Sequence, residues 1–138
     1  MVETEQDRIR YQDMLNNLED WSRDWQMLFN MDKCHVIHLG RQNKQFGHLW
    51  GGGDLMETCA EKDVGVMVTS NLKPSEQCAR AAKKANMVLG QLARGVTYRD
   101  RVTFIRLYQV FVLPHLSYAV SAWAPYNKAD KDLLEKVQ

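Results

Sequence analysis

Cysteine is scarce in this chain: three in 138 residues (Cys34, Cys59 and Cys78), with no CxxC pair. That excludes a disulfide framework and a zinc site of the finger or ribbon type. Reduced thiols and a cytoplasmic or nuclear setting are therefore expected. Long apolar runs are also missing. The most apolar stretch, residues 104–125, is broken by Arg106, Gln109, Pro114 and His115, so it makes a poor membrane span and no membrane partner is expected. The start, MVETEQDRIR, is charged and does not read as a signal peptide. No repeat or low-complexity tract occurs. Neither sign of charge dominates, with 18 Lys and Arg against 17 Asp and Glu and a net charge of +1. Apolar residues at 45% and charged residues at 25% argue against intrinsic disorder, and the length suits one globular domain.

The balanced total hides a local asymmetry. Residues 1–32 carry eight acids (Glu3, Glu5, Asp7, Asp13, Glu19, Asp20, Asp24, Asp32) and three bases (Arg8, Arg10, Arg23). Residues 73–106 carry eight bases (Lys73, Arg80, Lys83, Lys84, Arg94, Arg99, Arg101, Arg106) and two acids (Glu76, Asp100). Such a split raises the case for a polyanion contact in the second half.

Periodicity gives the order of elements. Tyr11, Met14, Leu15, Leu18, Trp21, Trp25 and Leu28 recur at three- and four-residue steps, which predicts a helix from about Glu5 to Phe29 with Trp21 and Trp25 as core anchors. Lys33 to Leu39, Phe46 to Trp50, Leu55 to Cys59 and Asp63 to Thr69 read as short strands of an antiparallel meander. Gly65 inside the last strand suggests a bulge or a close backbone approach. A helix is expected from Pro74 to Gly95, with Gly95 as a left-handed stop and an apolar stripe of Cys78, Ala81, Ala82, Ala85, Val88, Leu89 and Leu92. Another starts near Thr97, spaced like a capping box from Asp100, and breaks at Pro114. His115 to Trp123 and Lys128 to Gln138 complete the helices. The fold class is α+β: an N-terminal helix, a small antiparallel meander and a C-terminal helical bundle.

The search for catalytic motifs is mostly negative. No Walker loop, GxSxG or HExxH is present, and the run Gly51-Gly52-Gly53 lacks a following helix cap, so a hairpin turn fits it better than a phosphate loop. His35 and His38, three apart in a strand, fall on opposite faces and do not make a joint metal site. Cys34 beside His35 lacks an orienting partner for a nucleophilic pair. The stronger pattern is the helix face with Arg80, Lys84, Gln91 and Arg94 in line and Lys83 beside them. Such a stripe suits either a solvated surface or a sequence-independent contact with a nucleic-acid backbone.

Four blocks, WSRDWQMLFNMDKCHVIHLG, AEKDVGVMVTSNLKPSEQCARAAKKAN, LYQVFVLPHLSYAVSAWAP and LLEKVQ, are collinear, and the likeness they carry covers nearly the whole chain. In order and spacing it resembles the C-terminal part of non-LTR (LINE-type) retrotransposon reverse transcriptases, the chicken-repeat and jockey-like groups in particular. The resemblance implies an end-of-palm segment at 1–72 and a thumb-like helical segment at 73–138. It implies that Lys33 matches an accessory lysine on a strand beside the incoming nucleotide, where it helps protonate the leaving pyrophosphate. Val64, Gly65 and Val66 match the primer-grip strand, and Arg80, Lys83, Lys84 and Arg94 match the thumb helix that tracks the template–primer duplex.

Two departures bear on activity. The full-length family uses Mg²⁺ held by an aspartate pair, but no Asp-Asp dipeptide occurs here. Thr69 also stands where an aspartate usually follows the grip strand. The chain alone is thus expected to be a truncated, non-polymerising fragment with no bound cofactor or metal. It is expected to contact template–primer nucleic acid weakly and to self-associate through an unpaired sheet edge. The alternative is a host-retained, non-enzymatic module binding nucleic acid or protein.

Overall fold

The computed structural model describes residues 4–40, 43–97 and 100–138; Glu3 and Arg99, counted in the charged runs above, lie outside them. The chain is α+β, with an N-terminal helix, small sheets and C-terminal helices. It divides into two compact units, 1–61 with 69–72, and 62–68 with 73–138.

Helix α1 spans Glu5–Asp24 in the first unit. Thr4 and Asp7 form a full capping box, with the Thr4 hydroxyl accepting from the Asp7 N–H at 3.1 Å and Asp7 accepting from the Thr4 N–H at 3.0 Å. Acids occupy its first turn and Arg23 its last, as the helix dipole favours. The helix stops at Trp25, after which Gln26 turns left-handed at φ 56°.

A 3₁₀ turn, Met31–Lys33, comes next, nucleated by the Asn30 side chain accepting from the Asp32 N–H at 3.0 Å. Strand β1 (His35–Val36) pairs in parallel with β4 (Met56–Glu57), and β2 (Leu49–Trp50) pairs antiparallel with β3 (Gly53–Asp54). Gly51 and Gly52, both at positive φ, make the tight turn between β2 and β3, a conformation that favours glycine. Strands β5 (Ala60–Asp63) and β6 (Val66–Thr69) form a third pair. The single meander is therefore three two-stranded pairs, one of them parallel.

The face of α1 that meets its own unit is not the apolar one. Apart from the capping Asp7, its shielded residues are Arg8, Gln12, Leu15, Glu19 and Ser22, at steps of four and three, and Ser22 alone is buried. The Gln12 amide acts as a short strand would, accepting from the Leu49 N–H at 2.9 Å and donating to the Leu49 carbonyl at 2.8 Å. Glu19 accepts from the Gly51 N–H at 3.2 Å. The hairpin edge has backbone groups to satisfy, and polar side chains on α1 satisfy them. In consequence Met14, Leu18, Trp21 and Trp25 face outward, with Trp25 67% exposed, while Tyr11 at the edge of the stripe rests against His48. The two tryptophans, expected in the core, are surface residues.

The second unit is built on a conventional core. Helix α2 (Ser75–Gly95) buries Cys78, Ala81, Ala82 and Ala85. Against it pack Val112, Leu116, Trp123 and Val137 from the later helices. Gly95 keeps helical backbone, and Val96 caps the end instead of a left-handed glycine.

The next helix, α3 (Arg101–Leu107), begins at Asp100 rather than near Thr97, because Asp100 itself is the N-cap and accepts from the Thr103 N–H at 2.9 Å. Those cap bonds hold the Asp100 carboxyl below the usual carboxylate range.

Pro114 does not break the helical path. A π-helical segment, Tyr108–Val112, leads straight into α4 (Leu113–Ser117), with the Leu113 N–H returning to the Tyr108 carbonyl. The wide turn loosens the spacing ahead of the proline ring, and Pro114 then sits in the first turn of α4, where its missing N–H leaves no gap. The chain breaks instead at Ala119, left-handed at φ 49°, before α5 (Val120–Trp123) and α6 (Lys128–Glu135). Ser75 ties the start of α2 to α6 by donating to the buried Asp130 at 2.7 Å.

Candidate nucleic-acid interface

Val64 and Gly65 lie at the tip of the β5–β6 hairpin, not within a strand. Both have positive φ, 43° and 85°, the geometry of a two-residue hairpin turn with the strand twist. Gly65 accepts this readily, whereas a β-branched valine is strained there. Val66 begins β6, as the first residue of the strand.

A tyrosine holds the tip in place. The Tyr118 hydroxyl donates to the Val64 carbonyl at 2.9 Å, and a Cβ added at Gly65 would meet Tyr118 Cε1 at 3.1 Å. Gly65 thus does serve a close approach, but from a side chain. Tyr118 is fixed in turn by the buried Trp123, whose indole N–H donates to the Tyr118 carbonyl at 2.8 Å. On the other side of the turn, the Met67 N–H donates to Gln77 on α2 at 2.9 Å.

Between this tip, α2 and α4 runs an open groove of about 610 Å³. Lys62, Arg80, Lys83 and Lys84 line it together with His115, and Met67, Met87 and Tyr118 give it an apolar floor. Among the described residues that line it there is no carboxylate. Arg80, Lys83 and Lys84 are exposed, lie within one turn of each other, and make no ion pair among the described residues. Like charges at three- and four-residue spacing cost a helix about 0.2–0.5 kcal/mol per pair. A cation cluster that makes no ion pair among the described residues is suited to binding an anion supplied from outside.

Of the residues singled out from the sequence, the groove gathers Gly65, Arg80, Lys83 and Lys84. Arg94 is not in it, but continues the same face of α2, and the line from Arg80 to Arg94 is about 21 Å long at helical rise. That is the span of about six phosphates of one duplex strand. Lys33 belongs to the first unit, exposed at the end of the 3₁₀ turn rather than on a strand. Lys62, His115 and Tyr118 do not stand out in the sequence. Lys62 flanks the DVG turn, and reading that tripeptide as a hairpin tip would have pointed to it.

His35 and His38 turn to different carboxylates, His35 Nδ1 lying 3.5 Å from Glu61 and His38 Nε2 3.3 Å from Glu57. Among the described residues no group of three or more His, Cys, Asp or Glu is placed to hold a metal ion. The Cys78 thiol is pushed up by burial, with nearby Asp130 adding to the effect, which keeps it protonated and inert. No helix among the described residues is long and apolar enough to cross a membrane. No family model matches the chain, and no curated protein or solved structure is significantly similar to it.

Proposed function

We propose that the chain is the end-of-palm and thumb part of a non-LTR retrotransposon reverse transcriptase, non-catalytic by itself, that binds nucleic-acid backbone through its second unit. One observation carries this reading. A hairpin tip and three cations of α2, without ion pairs among the described residues, line a single groove that holds no carboxylate among those residues and is continued along the helix by Arg94. The cations supply affinity without sequence preference. The apolar floor admits the sugar and base edges of a strand end.

The experiment is a titration of a labelled RNA–DNA duplex at several salt concentrations. Replacing Arg80, Lys83 and Lys84 together by Ala is expected to reduce the slope of log K against log salt by about 3, close to one unit per cation. An unchanged slope overturns the assignment of the groove. Primer extension with Mg²⁺ tests the non-catalytic part, and incorporation by the purified chain overturns that part alone. Binding of a protein but no nucleic acid would favour the host-retained interaction module instead.

A further inference from the structure

The outward face of α1 has the spacing of a helix–helix seam. Tyr11, Met14, Leu18, Trp21 and Trp25 succeed one another at alternating steps of three and four, as the a and d positions of a heptad do. All five are exposed, from 42% for Tyr11 to 67% for Trp25. A contiguous apolar stripe of this kind on a soluble unit marks an interaction surface. The strands of the first unit are two to four residues long, which leaves little sheet edge for self-association to use.

The charges beside the seam identify the occupant. On the flank away from the first unit lie Arg10, Asn17 and Asp24, seven residues apart and all exposed. Neither Arg10 nor Asp24 forms an ion pair among the described residues. A second α1 laid antiparallel, with a two-fold axis at Asn17, sets Arg10 of each copy against Asp24 of the other. It also interleaves Met14, Leu18 and Trp21 with their counterparts. A parallel pairing would instead set the Arg10–Asp24 flank of one copy against the Leu15–Ser22 flank of the other, which its own hairpin occupies. The pattern is self-complementary in one direction only, as an isologous interface requires. The other flank of the helix is occupied by its own hairpin through Gln12 and Glu19, so there is room for one partner helix.

We propose that two copies of this chain associate through α1 as an antiparallel pair about Asn17. The proposal does not depend on the nucleic-acid reading. Sedimentation of the full chain over a concentration series tests it. The expected mass is twice that of one chain, and Leu18→Glu, at an exposed position, is expected to return it to one. Arg10→Asp and Asp24→Arg are each expected to weaken association roughly tenfold, and the two together to restore it to within about threefold of the original. Circular dichroism verifies that each variant keeps its helices. A monomer throughout, a mass above two chains, or a double variant weaker than either single one overturns the proposal.

Discussion

The two units solve the burial problem in different ways. In the second, Cys78, Ala81, Ala82, Ala85, Val112, Leu116, Trp123 and Val137 are all buried and touch one another in two adjoining clusters. In the first, Trp50 is the only buried apolar side chain among the described residues, while Ser22 and His48 are buried polar ones. The Phe29 ring meets Trp50 edge-on at 5.2 Å, and Tyr11 tilts against His48 at 4.7 Å. Otherwise polar groups on α1 hold the β2–β3 hairpin. Apolar burial is the larger driving force per residue, and net hydrogen-bond contributions are smaller, about 1 kcal/mol each. The first unit is therefore expected to be the less stable one, with Met14, Trp25 and Leu28 left on its surface.

A tryptophan pair breaks or upholds that contrast most directly. Trp123→Ala is expected to cost about 3–5 kcal/mol, because it empties a packed site and frees the Tyr118 carbonyl. Trp25→Ala at low protein concentration should stay within about 0.5 kcal/mol. Chemical denaturation measures both, and equal losses would show that the outward face of α1 is not free.

The next effect depends on pH. Burial holds the His48 imidazole below the usual histidine range, and His38 and Arg8 push it the same way. Its folded pKa is lower than its unfolded value of about 6.5. Its contribution is complete above that value and is lost as pH falls towards the folded pKa. Amide exchange at pH 7 and near pH 5 should therefore show faster opening in 4–61 at the lower pH, with α2 little changed. Replacing His48 by Gln should flatten this dependence, and a loss of protection spread evenly over both units would count against it.

The smallest effects are at the hairpin tip. Val64→Gly removes the strain of a branched residue at positive φ and is expected to stabilise the second unit by about 1 kcal/mol. Tyr118→Phe is expected to destabilise it by a similar amount through loss of the bond to the Val64 carbonyl. Thermal melts of the two single variants read both signs, and a destabilising Val64→Gly would mean that the valine side chain contributes packing the exposed tip does not suggest.

The fold class and nearly every helix are legible in the sequence because hydrophobic period and punctuation are local properties. The stripe on α2 that the sequence predicts is the one the structure buries. On α1 the same period identifies which residues share a face, but not which way that face turns. That depends on the unpaired edge of Leu49 and Gly51, which no helical pattern reports. Val64-Gly65 reads as strand because valine favours strands, and although Gly65 allows a left-handed turn, the branched Val64 beside it disguises one. Pro114 reads as a break because the compensating π segment has no sequence signature. The cations of the groove are legible as a helical stripe, while Lys62, His115 and Tyr118 come from separate segments that only the tertiary fold brings together.

The π segment at Tyr108–Val112 has a consequence for how this molecule could change over time. It holds one residue more than an ordinary turn needs, and each helical residue advances the direction of a side chain by about 100°. Losing a single codon there would let the turn close as an ordinary one, leaving His115 and Tyr118 facing the groove but setting the Pro114 ring against a carbonyl of the preceding turn. Substitution along this stretch is tolerable in a way that altered length is not.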